Sequence, residues 1–180
     1  MKKVLFINGS PRKKGNTSFL INKLSQELHS DISLDKVFLY DQKINPCNDC
    51  RACKKGDLVC TVKDDMQEVY SKIDEADILV IGTPIYWFGP TAVAKNVLDR
   101  LRPYYGNKRL AGKNYALILP AGTGAGDCDL TSEMFKRSFT ALGVSLINVV
   151  TSESFDEGDA EKDEKALIRV KALANQINGV

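Results

Sequence analysis

Apolar residues in this chain occur either in short continuous runs or in longer stretches where they recur every three or four positions. The runs are typical of strands buried on both faces, and the longer spacing is typical of amphipathic helices. Runs and helical stretches alternate about five times, which predicts right-handed βαβ units and an open, mostly parallel α/β sheet between two helical layers. The predicted strands lie at about 4–7, 34–39, 77–84, 115–120 and 144–150.

The helical stretches follow these strands and carry start and stop signals at several ends. Asn16 or Thr17 is predicted to cap the first helix, Asp64 and Asp65 precede the second, and Gly143 ends the helix before the last strand. The acidic stretch 156–165 is interpreted as a solvated loop and a first helical turn. The predicted helices lie at about 16–30, 66–76, 93–101, 130–142 and 167–177.

With 180 residues, the chain fits one domain, predicted to span 1–180 with a cysteine-rich insertion at about 45–63. The net charge is +2, and neither sign forms a block typical of nucleic-acid or membrane-surface binding. No apolar stretch is long enough for a signal-peptide core or a bilayer span. We therefore expect a cytoplasmic protein without nucleic-acid or membrane partners.

The segment 8–17 reads Asn-Gly-Ser-Pro-Arg-Lys-Lys-Gly-Asn-Thr and joins the first strand to the first helix. Its glycines allow backbone N–H groups to approach an anion, and the following helix start adds unpaired N–H groups and a positive dipole end. It matches neither the nucleoside-triphosphate loop nor the dinucleotide fingerprint, which leaves a monophosphate such as that of FMN. The alternative is an ordinary strand-to-helix turn without a ligand.

Two other loops follow the third and fourth strands at the same predicted sheet edge, where ligands of such folds bind. One contains Tyr86-Trp87-Phe88, and the other is the glycine-rich stretch 121–126. A flavin ring needs flat apolar walls and backbone donors, so the three loops together favour an FMN site. The aromatic residues could instead belong to the core or to a dimer interface.

Four of the five cysteines, Cys47, Cys50, Cys53 and Cys60, form a C-x2-C-x2-C-x6-C pattern. The pattern favours a [4Fe-4S] cluster over four-thiolate zinc, because structural zinc usually pairs two separated knuckles. A third alternative is that the cysteines bind no metal. Cys128 is interpreted as a packed thiol, and we assign no role to His29.

Four motifs occur together in this chain: Gly9-Ser10-Pro11-Arg12 with Gly15-Asn16-Thr17, the segment Asn45-Pro46-Cys47 through Cys60, Asp64-Asp65-Met66, and Thr83-Pro84-Ile85-Tyr86-Trp87. With them the chain resembles the iron-sulfur flavoproteins within the NAD(P)H-dependent FMN reductase superfamily. The resemblance implies a flavodoxin-like three-layer αβα sandwich, with a five-stranded parallel sheet in the order 2-1-3-4-5. It also implies non-covalent FMN, homodimers or tetramers, and a [4Fe-4S] cluster held by the compact cysteine motif.

Carried over position by position, the resemblance assigns cofactor contacts to named residues. The phosphate would be held by Ser10, Arg12, Asn16 and Thr17, and the ring would be lined by Pro84, Ile85, Tyr86, Trp87 and Phe88. The loop after the fourth strand matches the family least well, and Thr123 and Gly124 are its predicted contacts. Cys47, Cys50, Cys53 and Cys60 would bind the cluster.

These features predict a flavin-dependent oxidoreductase. Electrons would enter from NAD(P)H or a ferredoxin, pass between FMN and the cluster, and leave to a quinone, an oxygen species or another small acceptor. The cofactors would carry the chemistry, so no catalytic side chain is expected. One alternative is an NAD(P)H-dependent FMN or quinone reductase whose cysteines are idle or bind zinc, and another is a redox-sensing or zinc-stabilised binding module.

Overall fold

The computed structural model describes residues 1–179. Within that range the central sheet has five strands: β1 Lys3–Asn8, β2 Ser33–Phe38, β3 Ile78–Gly82, β6 Asn114–Ala121 and β7 Ser145–Glu153. The numbers β4 and β5 belong to a separate small hairpin, Ile85–Tyr86 and Gly89–Pro90. The order across the central sheet is β2-β1-β3-β6-β7, and every neighbouring pair is parallel. In terms of the five predicted strands this order is 2-1-3-4-5, so the predicted flavodoxin-like architecture is confirmed.

The sheet is covered on both faces, which explains the continuous apolar runs in its strands. Along β1, Leu5 and Ile7 join one buried cluster, while Val4 and Phe6 join the other. Alternate side chains of a strand point to opposite faces, so both faces of β1 require apolar residues. All five residues of β3 are buried for the same reason.

Helices follow the strands as predicted, with differences at their ends. The first helix begins at Asn16, but its N-cap is Gly15 and no side chain caps it, so the prediction of a cap from Asn16 or Thr17 was wrong. The helix before β7 ends at Gly143, which has a φ of 77°, as the sequence predicts. The main helices are α1 Asn16–Glu27, α2 Met66–Glu75, α3 Ala92–Arg100, α4 Pro103–Asn107 and α5 Asp129–Leu142.

Two regions contain structure that the hydrophobic pattern does not reveal. The aromatic loop after β3 forms a small antiparallel hairpin of β4 Ile85–Tyr86 and β5 Gly89–Pro90. The acidic stretch after β7 contains a short helix, α6 Asp159–Lys162, before α7 Glu164–Gly179. No helix within residues 1–179 is long and apolar enough to cross a membrane.

The cysteine-rich segment has almost no regular structure, as its composition predicts. Its only element among the described residues is a single 3-10 turn at Ala52–Lys54. Three non-glycine residues, Asp49, Arg51 and Leu58, have left-handed φ angles between 52° and 62°. Such angles are unfavourable for most side chains, so the segment must be held by specific contacts rather than by its own propensity.

Candidate functional site

A cavity of about 360 Å³ lies at the carboxyl edge of the sheet, where β1, β3, β6 and β7 end. Its volume is within the range of small-molecule sites. The structure brings the three predicted loops together around it, and adds the segment after β7. The predicted site residues that line it are Ser10, Arg12, Asn16, Thr17, Pro84, Ile85, Tyr86 and Thr123.

The loop between β1 and α1 is held close to the rest of the sheet. The Gly9 N–H donates to the Gly82 carbonyl at 2.7 Å, and the Thr91 hydroxyl donates to the Gly9 carbonyl, also at 2.7 Å. A Cβ atom at Gly9 would lie 3.0 Å from the Ala94 Cβ, which leaves little room for any side chain. The glycine therefore allows a close backbone approach that fixes the loop against the start of α3.

Several donors where α1 begins at the cavity have no partner among residues 1–179. Arg12 is exposed, and no carboxylate of the described residues lies within ion-pairing distance of it. Thr17 is buried at the cavity wall, and the hydrogen bonds found within residues 1–179 leave its hydroxyl free. The first N–H groups of α1 lack intrahelical partners by geometry. A guanidinium, a hydroxyl and a helix N-terminus are a donor set that suits a phosphate.

The other two predicted phosphate ligands are engaged in holding the cavity together. The Ser10 hydroxyl accepts the Arg12 N–H at 3.1 Å, while the Ser10 N–H donates to Asn8 Oδ1 at 2.9 Å. The side chain of Asn16 is bonded to the backbone at 156–160. Both residues line the cavity, but their polar atoms shape the loops around it.

The β4–β5 hairpin supplies one wall of the cavity through Ile85 and Tyr86. Its two turn residues, Trp87 and Phe88, do not line the cavity: Trp87 is 95% exposed and Phe88 is 53% exposed. The Phe88 carbonyl accepts the Thr131 hydroxyl at 3.1 Å, so α5 supports the tip of the hairpin. The predicted ring contacts of Trp87 and Phe88 therefore remain predictions.

The sequence reasoning missed the contribution of the segment after β7. Ser154 and Phe155 line the cavity, and Gly122 faces the Phe155 ring, since a Cβ there would lie 3.0 Å from Phe155 Cδ2. Gly124, a predicted contact, does not line the cavity; its φ is 79° and it lies against Glu153. The sequence contained one signal for this segment: the predicted fifth strand ends at the same sheet edge as the three strands whose loops were predicted to form the site.

The four clustered cysteines lie in a different part of the molecule, beside α3 and α4. Cys47 and Cys50 are exposed, while Cys53 and Cys60 are half-buried. Burial raises the pKa of the Cys53 thiol, Arg102 opposes that rise, and the other three cysteines add to it. Each of these three cysteines is therefore near Cys53. Within residues 1–179, however, no three of them are close enough to hold a metal ion as they stand.

Two guanidinium groups, each paired with a carboxylate, lie beside this cysteine segment. Arg102 Nη1 lies 3.9 Å from Cys47 Sγ and donates to Asp49 Oδ1 at 2.6 Å. The buried Arg100 guanidinium carries a donor, Nε, that has no partner among the described residues. Four thiols with nearby guanidinium groups are a donor set that suits a thiolate-bound metal centre. The residues therefore fit such a centre, and the tip of the segment would have to close to form it.

Known proteins resemble this chain over most of its length. The model of a family described as NADPH-dependent FMN reductase matches residues 2–155. An iron-sulfur flavoprotein of Archaeoglobus fulgidus is 36% identical over 190 residues, covering 97% of this chain and 93% of that protein.

Two solved structures show the same fold. Trp repressor binding protein from Bacillus subtilis has a TM-score of 0.71 at 24% identity, covering 94% of this chain and 96% of that one. An FMN-dependent NADH-azoreductase from Bacillus anthracis, in complex with FMN, has a TM-score of 0.66 at 16% identity, covering 99% and 100%. At these identities the similarity establishes the fold alone.

Proposed function

The chain belongs to the NADPH-dependent FMN reductase family, and from that membership we propose that it passes electrons from a reduced donor, through FMN and a [4Fe-4S] cluster, to a small acceptor. That it is a flavin-dependent oxidoreductase follows from the family itself. The donor in this proposal is NAD(P)H or a ferredoxin, and the acceptor is a quinone or an oxygen species. We place both cofactor sites in one domain, with the cysteine-rich segment as an insertion.

The unpaired donor set at the start of α1 is the observation that carries the proposal. Arg12 and the first N–H groups of α1 would bind the FMN phosphate, and the Thr17 hydroxyl would add a third contact. Tyr86 and Phe155 would flank the ring at the other end of the cavity. FMN, when bound, supplies the redox chemistry. The role of these residues is to anchor and orient it.

The cysteine segment supports the second half of the proposal. Cys47, Cys50, Cys53 and Cys60 would hold the cluster, which supplies one-electron transfer when bound. Three of them follow one another at intervals of three residues, and the fourth lies against the core beside α2 and α3. Arg102 and Arg100 would offset part of the negative charge of four thiolates.

A second function is an NAD(P)H-dependent FMN or quinone reductase that uses no cluster. It is favoured by one observation: within residues 1–179, the thiols are neighbours but not yet a closed ligand set. In that case the cysteines would be idle or would bind zinc. The FMN site and its residues would be the same.

Cofactor stoichiometry after anaerobic purification tests the proposal. We expect one FMN and about four irons per chain, with an equal amount of labile sulfide and an absorption shoulder that dithionite bleaches. FMN with zinc, or with no metal, would establish the second function instead. A chain that binds no FMN at all would contradict both.

Turnover and size measurements test the remaining parts. Reduction of a quinone by NADPH, NADH or a reduced ferredoxin, measured with each donor separately, identifies the donor. We propose a homodimer or tetramer, which light scattering after size-exclusion chromatography would show directly. A monomer at all concentrations would contradict that part alone.

A further inference from the structure

One buried ion pair lies where the cysteine segment begins and ends. The side chains of Arg100 and Asp64 are 1% and 4% exposed. Arg100 Nη1 lies 2.8 Å from Asp64 Oδ2, and Nη2 lies 3.1 Å from Oδ1, so the pairing is bidentate. Burial opposes ionisation of both groups, but their mutual hydrogen bond leaves the pKa of Asp64 lowered and that of Arg100 raised. Both groups are therefore charged at neutral pH.

The same two side chains bind the backbone at the start of the segment. Arg100 Nη1 donates to the Asn45 carbonyl at 2.7 Å, and the Asn45 N–H donates to Asp64 Oδ2 at 2.8 Å. Asp64 itself follows the segment directly, and its Oδ1 accepts the Met66 N–H at 3.1 Å. The pair thus joins both ends of the segment to each other and to the end of α3.

Two further pairs of residues also hold the base of the segment. The Lys43 N–H donates to Asp65 Oδ2 at 2.6 Å, and the Asp65 N–H returns a bond to the Lys43 carbonyl at 3.3 Å. Asn96 of α3 donates to the Ile44 carbonyl at 2.6 Å. The base of the segment is therefore fixed, whereas Cys47 and Cys50 in its tip are exposed.

The fourth cysteine is next to this base. Cys60 packs against the core cluster that contains Tyr70. It also lies close enough to Arg100 to add to the Asp64 hydrogen bond, which raises the pKa of that guanidinium against the effect of burial. The Tyr70 hydroxyl in turn donates to the Arg100 carbonyl. Arg100 Nε, the buried donor without a partner among residues 1–179, belongs to the same guanidinium.

A buried ion pair does not by itself make a protein more stable, since a protein with apolar residues of similar size in its place is often as stable. An apolar pair, however, could not hold the Asn45 backbone or place a positive charge beside Cys60. We propose that the Arg100–Asp64 pair is the positioning element of the cysteine segment: it holds the two ends together so that four thiolates can close around one metal centre. This inference rests on the proposed metal site.

The test removes both charges in the full-length, FMN-loaded protein, with the double variant Asp64→Asn/Arg100→Met. The matched control is Lys95→Met/Asp99→Asn, which removes an exposed ion pair from the same helix. Anaerobic titration with Cd²⁺ reports affinity, and the thiolate-to-metal absorption reports the number of thiolates bound. We expect affinity to fall at least about tenfold and fewer thiolates to bind in the double variant only.

A conservative variant keeps the proposal testable if the double variant does not fold. Arg100→Lys retains the positive charge but cannot pair bidentately and also reach Asn45, so we expect an intermediate loss of Cd²⁺ affinity with unchanged FMN affinity. Wild-type affinity and a four-thiolate spectrum in either variant would overturn the inference.

A metal-free measurement separates failure of the inference from failure of the proposed function. Trypsin can cut the segment at Lys54 and Lys55, and the positioning role predicts cleavage there at least about fivefold faster in the double variant than in the control. If the wild type binds no Cd²⁺, the proposed metal site fails while cleavage still tests the closure of the segment. Equal cleavage rates would overturn the inference whether or not metal binds.

Discussion

The side chain of Asn16 holds the backbone of Asp156, 140 residues away: Asn16 Nδ2 donates to the Asp156 carbonyl at 2.8 Å. Its Oδ1 accepts from the N–H groups of Gly158 and Ala160 at 3.0 and 3.3 Å. The first residue of α1 thereby anchors the segment after β7, which carries Phe155 to the cavity. One amide therefore couples the two places that we propose for the phosphate and the ring of FMN, the start of α1 and Phe155.

Replacing Asn16 with alanine should therefore affect stability and cofactor binding together. Three hydrogen bonds are lost, and we expect the free energy of unfolding of the apoprotein to fall by about 1–2 kcal/mol. FMN affinity should fall several-fold because Phe155 is no longer held. Urea unfolding and FMN fluorescence quenching measure the two effects. Asn22→Ala, an exposed asparagine of the same helix, is the control, and an equal loss there would contradict the anchoring role.

Arg12 should discriminate between flavins with and without a phosphate. Arg12→Gln removes the one unpaired guanidinium of the β1–α1 loop, so we expect FMN affinity to fall by about tenfold while riboflavin affinity stays the same. The loss should shrink as salt is added, because salt screens exposed charges. Lys14→Gln, which changes the same charge outside the cavity lining, serves as the control. Equal loss of FMN and riboflavin would show that Arg12 acts on the fold instead.

Most of the fold could be predicted from the sequence because the three central strands, β1, β3 and β6, are buried on both faces. A continuous apolar run such as 78–82 fits few structures other than a central strand, and the right-handed crossover rule then limits the order of the strands. The site was less predictable where contacts link distant parts of the chain. Asn16 looked like a helix cap, but its partners lie near residue 156. Arg100 falls within the predicted helix at about 93–101, and only the fold brings it to Asp64.

The aromatic hairpin shows a second limit of sequence reasoning. Both turn residues, Trp87 and Phe88, have positive φ angles, 51° and 62°. A two-residue turn of that kind usually contains Asn-Gly, so nothing in Trp-Phe predicts it. Phe155 was missed for a different reason, since a single aromatic residue after a strand has no distinctive spacing.

Gly82→Ala should disturb the packing of α1 on the sheet. A Cβ at Gly82 would lie 2.7 Å from Ile21 Cδ1 and 2.8 Å from Thr17 Cγ2. Because this crowding pushes the start of α1 away from β3, we expect a loss of about 1–3 kcal/mol in unfolding free energy and weaker FMN binding. Gly126→Ala, where no atom lies within 4 Å of the new Cβ, should change stability by less than about 0.5 kcal/mol. Similar losses for both variants in urea unfolding would contradict the packing argument.

Replacing the two residues at the hairpin tip distinguishes the effect of backbone strain on stability from the effect of cofactor contact on FMN affinity. Trp87→Asn/Phe88→Gly places the preferred residues at two left-handed positions, so we expect stability to rise by about 1 kcal/mol. FMN affinity should change little, because neither ring lines the cavity, whereas Tyr86→Ala should weaken it clearly. Thermal unfolding and FMN titration are the measurements. If the tip variant loses as much affinity as Tyr86→Ala, Trp87 and Phe88 contact the flavin as the family resemblance implies.

The buried thiol of Cys128 should make stability fall at alkaline pH. Burial, with smaller contributions from Asp127 and Asp129, raises the pKa of Cys128 from 9.0 to about 11. The sulfur also lies 3.3 Å from the Leu119 carbonyl and 3.4 Å from the Gly124 carbonyl, so its one S–H can donate to either of them. Between these two pH values the unfolded chain has lost this proton and the folded protein has kept it. The stabilisation from Cys128 is therefore complete below pH 9.0 and is lost as the pH rises through the folded value.

Urea unfolding of the wild type and Cys128→Ala at about pH 8 and about pH 10.5 measures this contribution. At the lower pH the variant should be less stable by about 1 kcal/mol, because it lacks the thiol and its contacts. The wild type should then lose about 2 kcal/mol more than the variant on going to the higher pH, which reverses the order of stability. A difference between the two proteins that is independent of pH would show that this thiol ionises equally in the folded and unfolded states.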